Sequence, residues 1–255
     1  MVYIQEMFYS IQGEGLRTGI PSIFVRTALC NLRCQGFGCK LKAPDGTELT
    51  GCDTIRAVSP KFKDNWKTYI EYEDLVNDIN NVIPQDLKNV VKPDIVITGG
   101  EPTLYWDDPV FQKTLSYYIS RGYKVTIESN GSIPLNLNRK IHNDIIFSLS
   151  VKLSNSGEPE HKRINIENII NILEKNENSY LKFVTSKDTW EQDWSEISKI
   201  LREIPFFANV YFMPMGENKQ NLEKNALFVA EKCVELGFNY SDRIHIRLWN
   251  DKEGV

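Results

Sequence analysis

Seven short runs rich in β-branched and aromatic residues alternate along the chain with five longer amphipathic segments. Strands that alternate with helices pair in parallel, with the helices crossing over between them. The predicted strands are Ser22–Arg26, Asp94–Thr98, Lys124–Ser129, Asp144–Leu149, Tyr180–Thr185, Asn209–Met213 and Arg243–Leu248. The predicted helices are Tyr72–Val82, Pro109–Arg121, Lys162–Leu173, Trp194–Glu203 and Asn221–Leu236. The pattern therefore predicts an α/β fold whose parallel sheet is open or curled into a barrel, with ligands at the carboxyl ends of the strands.

The length and charge of the chain limit the class of protein to which it can belong. Its 255 residues, 41% hydrophobic and 25% charged, suit a single soluble α/β domain covering residues 1–255. The formal net charge of −4 provides no basic surface for a phosphate backbone, so we expect no nucleic-acid partner. The N-terminus shows no signal peptide, and no apolar run is long enough to span a membrane. We therefore expect a cytoplasmic protein with no membrane partner.

Four of the five cysteines crowd into one short segment, at Cys30, Cys34, Cys39 and Cys52. In a reducing compartment, clustered thiols are more often metal ligands than disulfides. The first two follow the strand Ser22–Arg26, so both can face one inorganic cluster at the end of the strand. An iron–sulfur cluster with only three protein thiolates leaves one iron free to chelate a small molecule. The alternative is a structural zinc site that uses all four cysteines.

A second motif, Thr-Gly-Gly-Glu-Pro, occupies positions 98–102 and begins with the last residue of the predicted strand Asp94–Thr98. Paired glycines allow a ligand to approach the backbone closely, and Glu101 can accept a hydrogen bond from an amino group. Because the cysteine loop follows another predicted strand, one ligand shared between the two motifs explains both.

These motifs resemble those of the radical S-adenosylmethionine (SAM) superfamily, and further segments narrow the resemblance to the 7-carboxy-7-deazaguanine synthase family. The segments are Ser-Ile-Gln-Gly-Glu-Gly at 10–15, Phe-Val-Arg at 24–26, Cys-Asn-Leu-Arg-Cys at 30–34, Cys-Asp-Thr at 52–54, Gly-Gly-Glu-Pro at 99–102, Glu-Ser-Asn-Gly at 128–131 and Ser-Val-Lys-Leu at 150–153. The resemblance runs from residue 8 to the C-terminus. It implies a radical SAM core, an incomplete (β/α)6-type partial TIM barrel.

The cysteine spacing departs from the superfamily, which usually places two residues between its second and third cysteines. Here the gap after Cys34 is four residues to Cys39 or seventeen to Cys52. We favour Cys52 as the third ligand, because the Asp-Thr that follows it matches the family, in which the third ligand directly precedes a magnesium-binding threonine. Cys39 is the alternative. An insertion is then predicted at about 35–67, in and after the cluster loop.

The resemblance implies a role for each matching residue. Cys30, Cys34 and Cys52 would ligate a [4Fe–4S] cluster that generates the radical, and Thr54 would bind Mg²⁺. Residues implied to bind SAM are Asp53, Gly100, Glu101, Ser129, Ser150 and Lys152. Residues implied to bind a pterin-like substrate are Gln12, Gly13, Glu14, Arg26, Thr98 and Val255, the last through its terminal carboxylate. His245 could face the site or be a core histidine, and we favour the core.

The implied activity is that of a carbon–nitrogen lyase in 7-deazapurine (queuosine-type) biosynthesis. A 5′-deoxyadenosyl radical would abstract hydrogen from C6 of 6-carboxy-5,6,7,8-tetrahydropterin, and ring contraction with loss of ammonia would give 7-carboxy-7-deazaguanine while SAM is regenerated. The implied partners are an electron donor such as flavodoxin or ferredoxin and a second copy of the chain in a homodimer. Two alternatives remain: another radical SAM enzyme, such as an activase or a peptide-modifying enzyme, and a non-catalytic zinc-binding α/β protein.

Overall fold

A computed structural model of the chain describes residues 1–88, 90–252 and 254. The strands are β1 Val2–Ile11, β2 Pro21–Thr27, β3 Cys39–Lys42, β4 Glu48–Gly51, β5 Lys67–Tyr69, β6 Asp94–Gly99, β7 Val125–Ser129, β8 Ile145–Leu149, β9 Tyr180–Thr185, β10 Val210–Pro214 and β11 Asn239–Tyr240. The helices are α1 Ile55–Val58, α2 Tyr72–Val82, α3 Pro109–Ser120, α4 Glu160–Arg163, α5 Ile166–Lys175, α6 Trp190–Glu203, α7 Lys219–Leu236 and α8 Ile244–Trp249.

One large sheet organises the fold. Within the described residues it contains nine strands, in the order β11-β10-β9-β8-β7-β6-β2-β1-β5. Every pairing from β2 to β11 is parallel, whereas β1 runs antiparallel to both β2 and β5. The predicted α/β class with a mostly parallel sheet is therefore confirmed.

The central strands form because their sequences are apolar on both faces, as parallel strands covered by helices require. All five residues of β8 are buried, as are the first five of β6. The predicted bounds of β9 and α2 match the structure, and those of β2, β6, β7, β8, β10 and α3 match within one residue at each end. Crossover helices precede β6, β7, β9 and β10, but the connection from β7 to β8 carries only a 3-10 turn, Lys140–Asp144.

The predicted strand at Arg243–Leu248 is wrong, because this segment is the short helix α8. Its alternating polar and apolar residues suggested a strand, but only Ile246 is buried. The amide of Arg247 donates to the carbonyl of Arg243 at 3.1 Å, and Ile244 N donates to Gly13 O at 3.0 Å. These backbone bonds fix the start of α8 against the loop that follows β1.

Strand β1 was not predicted from the sequence. Only Val2 and Ile4 of this strand point fully into the core, so its burial pattern lacks a clear alternation. Further along, the Phe8 ring stacks on the Phe24 ring of β2, with centroids 4.9 Å apart. The strand covers the edge of the parallel sheet and delivers the Gln-Gly-Glu-Gly loop to the strand ends.

The aperiodic segment at 35–67 contains the hairpin β3–β4, helix α1 and a 3-10 turn at Pro60–Asn65. Its small separate core consists of Ala43, Ile55 and Phe62. Cys39 is the cross-strand partner of Gly51, so Cys52 follows directly at the end of the hairpin. In the described part of the chain, no helix combines the length and the apolar character that a bilayer crossing requires.

Candidate functional site

A cavity of about 630 Å³ lies at the carboxyl ends of the parallel strands. Its lining includes every predicted site residue that the structure describes. They are Gln12, Gly13, Glu14, Arg26, Cys30, Cys34, Cys52, Asp53, Thr54, Thr98, Gly100, Glu101, Ser129, Ser150 and Lys152. Val255, predicted to bind substrate through its carboxylate, lies outside the described residues. Segments far apart in the sequence thus converge on one space, as the strand-end argument predicts.

The cysteine loop is held in place by backbone contacts rather than by regular structure. Cys34 has a left-handed backbone, with φ at 40°, which an L-residue adopts only when its surroundings enforce it. The amides of Arg33 and Cys34 both donate to Oε1 of Glu158, at 2.5 and 3.3 Å. Leu29 N donates to Ala57 O at 2.7 Å, which ties the loop to α1. Two cysteines of the loop, with Cys30 half-buried and Cys34 buried, are thereby directed into the cavity.

The thiols share one electrostatic environment. Burial raises the pKa of Cys30 to about 12, and the nearby carboxylate of Glu101 adds to the effect. The pKa of Cys34 is raised to about 11, again chiefly by burial, although Lys152 opposes the shift. Cys30 and Cys34 are therefore neutral thiols at pH 7 until a metal replaces their protons.

The chemistry of the donor set suits an iron–sulfur cluster, since three soft thiols from Cys30, Cys34 and Cys52 line the same cavity. Cys39 lines the same cavity, and burial, with the nearby carboxylate of Asp53, raises its pKa to about 11. Among residues 1–88, 90–252 and 254, no group of three or more His, Cys, Asp or Glu side chains is placed to hold a single metal ion.

The Cys-Asp-Thr segment places two donors side by side. The Sγ of Cys52 lies 3.2 Å from Oγ1 of Thr54. Thr54 flanks the N-terminus of α1, but its side chain makes no capping hydrogen bond to that helix. The hydroxyl is thus adjacent to a thiol at the cavity, so an oxygen of the kind that hard cations prefer lies next to a sulfur of the kind that soft metals prefer.

The Gly-Gly-Glu-Pro motif joins two strand ends. A Cβ on Gly100 would lie 1.8 Å from the carbonyl oxygen of Leu29, so glycine is required for the motif to pack on the cysteine loop. Glu101 is only 1% exposed. Its carboxylate accepts hydrogen bonds from Thr103 N, Thr103 Oγ1 and Ser129 Oγ, and from Asn130 N at 2.7 Å. Three of these bonds fall on Oε1 and one, from Asn130 N, on Oε2, so Glu101 braces β6 against β7 while Oε2 can accept a further donor.

Glu128, which was assigned no role from the sequence, holds two other side chains that line the cavity. Its Oε1 accepts a hydrogen bond from Nε2 of Gln12 at 3.2 Å, and its Oε2 accepts one from the Thr98 hydroxyl at 2.8 Å. The amide oxygen of Gln12 in turn accepts from Glu14 N at 3.1 Å. Two predicted substrate-binding side chains are thus fixed by one carboxylate at the end of β7.

Glu14 is the centre of a partly buried ion network. Its Oε2 accepts from Lys182 Nζ at 2.5 Å, and its Oε1 accepts from Arg243 Nε at 3.0 Å. Burial by itself would raise the pKa of Glu14, but the charges of Lys182 and Arg243 outweigh burial and hold the pKa well below its usual value. In the same way, Glu14 outweighs burial and raises the pKa of Lys182. Glu14 is consequently an ionised carboxylate with both oxygens engaged.

Lys182 and Arg243 were not assigned roles from the sequence. Lys182 is a charged residue inside the apolar strand β9 and is 3% exposed, which is the signal that marks it as a site residue. Arg243 was hidden by the wrong strand prediction. The expectation that His245 is a core residue is also wrong: its ring lines the cavity, with Nε2 3.8 Å from Oε1 of Glu14.

His245 also explains why position 13 of the Gln-Gly-Glu-Gly loop is a glycine. A Cβ at Gly13 would lie 2.1 Å from His245 Nδ1, so a larger residue would displace the ring. Burial lowers the pKa of His245, and Arg243 opposes protonation as well. The imidazole is therefore neutral at pH 7.

Two further cations line the cavity. Lys152 Nζ donates to the hydroxyl of Ser150 at 2.8 Å, just beyond the end of β8. Arg26 pairs through Nε with Oε1 of Glu6 on the neighbouring strand at 2.7 Å. The site thus offers an ammonium near the thiols and a guanidinium on the wall formed by β1 and β2.

Comparison with known proteins gives a consistent result. No protein-family model matches the chain. A 7-carboxy-7-deazaguanine synthase from Halobacterium salinarum is 30% identical over 273 aligned residues, which cover 97% of this chain and 90% of that protein. One from Leptospira interrogans is 30% identical over 261 residues, covering 99% and 97%. The crystal structure of QueE from Escherichia coli aligns with a TM-score of 0.62 at 20% identity, over 94% of this chain and 93% of that chain, a likeness of fold.

Proposed function

The chain belongs to the 7-carboxy-7-deazaguanine synthase family of radical SAM enzymes, and we propose that it converts 6-carboxy-5,6,7,8-tetrahydropterin to 7-carboxy-7-deazaguanine with loss of ammonia. The observation that carries this proposal is the convergence of the cysteine loop, the Gln-Gly-Glu-Gly loop and the Gly-Gly-Glu-Pro motif on one cavity. Such convergence at strand ends is where an enzyme of this architecture binds its ligands.

Cys30, Cys34 and Cys52 would hold a [4Fe–4S] cluster. When bound, the cluster supplies the electron that cleaves SAM and produces the adenosyl radical. Lys152 and Ser150 would bind the polar groups of SAM, with the ammonium suited to a carboxylate. Oε1 of Glu101 accepts three protein hydrogen bonds and fixes Ser129, whereas Oε2 accepts only one and would bind the amino group of SAM.

The wall built around Glu128 would bind the pterin. A pterin edge carries both donors and acceptors, which the amide of Gln12 and the hydroxyl of Thr98 complement. Glu128 holds both side chains and thereby fixes their orientation before the substrate arrives. Arg26 would attract the substrate carboxylate. The role of the chain is to orient the substrate and to exclude water from it.

Thr54 would contribute a hydroxyl to Mg²⁺. Its side chain makes no capping bond, and Mg²⁺ binds hard oxygen ligands together with water and substrate groups. Thr54→Ser retains the hydroxyl and Thr54→Ala removes it. Only the alanine variant should need more Mg²⁺ for half-maximal activity, and an equal requirement in both variants would refute this assignment.

The remaining partners follow from the chemistry and the family. Reduction of the cluster requires a one-electron donor, for which we propose a flavodoxin or a ferredoxin. A homodimer is proposed from the family alone, and sedimentation at several protein concentrations would test it.

The proposed function is tested by anaerobic purification and assay. The protein should be brown and contain iron and labile sulfide, and it should form 7-carboxy-7-deazaguanine from the carboxytetrahydropterin when SAM and dithionite are added. An iron-containing protein that cleaves SAM but does not use the pterin would indicate another radical SAM activity. A colourless protein that contains zinc would support a non-catalytic zinc-binding protein.

A further inference from the structure

We propose that Arg243 is a positioning residue that sets the separation between the wall carrying Glu14 and the segment carrying Cys52 and Thr54. The inference rests on the proposed function and extends it to a residue outside the predicted site. Arg243 Nε donates to Oε1 of Glu14 at 3.0 Å, and its Nη2 donates to Oδ2 of Asp53 at 2.9 Å. The two carboxylates belong to different loops, one after β1 and the other between β4 and α1.

A third contact fixes the guanidinium itself. Its Nη1 donates to the carbonyl oxygen of Gly216, beyond the end of β10, at 2.6 Å. The side chain is only 14% exposed. A planar fork with donors in fixed directions can hold three acceptors at once, whereas an ammonium on a flexible stem cannot fix their relative positions.

The backbone of Arg243 is anchored to the same loop that its side chain binds. The next residue, Ile244, donates from N to Gly13 O at 3.0 Å, and the His245 ring packs against Gly13. Helix α8 and the Gln-Gly-Glu-Gly loop therefore form one unit. From this unit the guanidinium reaches across to Asp53.

Asp53 is the more adjustable end of the linkage. Its side chain is 51% exposed, and it lies between two residues that line the cavity, Cys52 and Thr54. Without the ion pair to Arg243, the segment 52–54 would be restrained by the proposed cluster at Cys52 and by α1. Loss of Arg243 should therefore leave cluster binding intact. The distance between the Thr54 hydroxyl and the loop that carries Glu14 would no longer be fixed.

Arg243→Gln in the cluster-loaded enzyme tests this proposal. We expect the KM for the carboxytetrahydropterin and the Mg²⁺ concentration for half-maximal rate each to rise roughly tenfold, as loss of a charge-assisted hydrogen bond predicts. The kcat should change by less than about threefold, since no reacting atom is removed. Iron and sulfide content, and the change that SAM causes in the electron paramagnetic resonance spectrum of the reduced cluster, should match the unmodified protein.

Arg247→Gln is the matched control. Arg247 lies one turn later on α8 and pairs through Nε with Oδ2 of Asp242 at 2.6 Å, close to the surface. This variant should leave both constants unchanged. If Arg243→Gln behaves like Arg247→Gln, or if it loses its iron, the proposal is overturned. Should the glutamine variant not fold, Arg243→Lys keeps the charge and loses the fork, and the same two constants should still rise.

A double variant separates positioning through Asp53 from general damage. If Arg243 acts through Asp53, then Asp53→Asn added to Arg243→Gln should raise the KM for the pterin little further, whereas independent effects would multiply.

Hydrogen exchange provides a readout without turnover. Residues 12–18 and 51–58 should both exchange faster in Arg243→Gln than in Arg247→Gln. Equal exchange in the two variants would overturn the positioning role of Arg243, whatever the enzyme's activity. Absence of synthase activity in the unmodified protein would refute only the proposed function.

Discussion

The Sγ of Cys52 and the hydroxyl oxygen of Thr54 lie 3.2 Å apart at the end of the hairpin β3–β4. This contact joins the proposed sites of the cluster and of Mg²⁺ at one point of the cavity wall. The hairpin pairs Cys39 with Gly51, so the seventeen residues between Cys34 and Cys52 fold back on themselves. This fold brings Cys52, which is distant in sequence, to the cavity that Cys30 and Cys34 also line.

The two candidate third ligands are distinguished by single substitutions. Cys52→Ala should abolish SAM cleavage and lower the iron content, because the cluster loses one of its three thiolates. Cys39→Ala should retain both. The measurement is 5′-deoxyadenosine formed under reducing conditions, together with iron and sulfide per chain. Loss of activity in Cys39→Ala alone would reverse the ligand assignment.

Glu101→Gln should destabilise the protein by about 2–4 kcal/mol. An NH2 group replaces one carboxylate oxygen, and it cannot accept hydrogen bonds from the donors around it. The effect is expected to be structural, since Glu101 joins the ends of β6 and β7. Glu48→Gln, on the exposed face of β4, is the control and should change stability little. Apparent melting temperatures of the cluster-loaded variants measure this difference. A Glu101→Gln protein as stable as the control would show that the four hydrogen bonds contribute little.

Glu14 and Lys182 should be strongly coupled. Glu14→Gln leaves the buried ammonium of Lys182 without its carboxylate partner, which should cost about 3 kcal/mol. Lys182→Met removes that charge, so the double variant should be more stable than the sum of the two single effects predicts. A thermal-melting comparison of the four proteins measures the coupling. Strictly additive changes would mean that the ion pair adds no free energy of interaction.

Cluster assembly should depend on pH. Burial raises the pKa of Cys30 to about 12 and that of Cys34 to about 11, so both thiols are protonated in the metal-free protein at neutral pH. Ligation removes these protons, and reconstitution should therefore become more favourable as the pH rises from 7 to 8.5. Iron bound at limiting ferrous ion and sulfide reports the effect. A pH-independent yield would show that proton release does not limit assembly.

The raised pKa values of Cys30 and Cys34 also determine how the stability of the metal-free fold depends on pH. A thiol whose pKa is raised by folding from its ordinary value of 9.0 stabilises the metal-free fold below about pH 9, and that contribution is lost as the pH rises towards 11. This weakening of the metal-free fold begins only above about pH 9, beyond the range of pH 7 to 8.5 in which cluster binding should become more favourable. The cluster-loaded protein, whose thiols are already deprotonated, should not show this loss.

The strands could be predicted because parallel strands buried on both faces are continuous apolar runs, as β6 and β8 show. Helix α8 could not, since six residues with alternating polarity fit either structure and its helical bonds depend on docking to Gly13. Strand β1 was missed because its outer half lines a cavity rather than the core.

The convergence of the site could also be predicted, since motifs that follow parallel strands meet at one edge of the sheet. What the sequence did not reveal was the charge network. Lys182 carried a signal as a lysine in an apolar strand, but Arg243 carried none, because its two carboxylate partners lie 190 and 229 residues away. Predicted contact residues such as Glu101 also proved to be engaged with the protein itself.

The ratio of 7-carboxy-7-deazaguanine formed to SAM consumed tests the central claim most directly. The proposed reaction regenerates SAM, so the cluster-loaded protein, supplied with excess carboxytetrahydropterin and a limiting amount of SAM, should form several equivalents of product for each SAM added. Consumption of SAM without any 7-carboxy-7-deazaguanine would contradict the account.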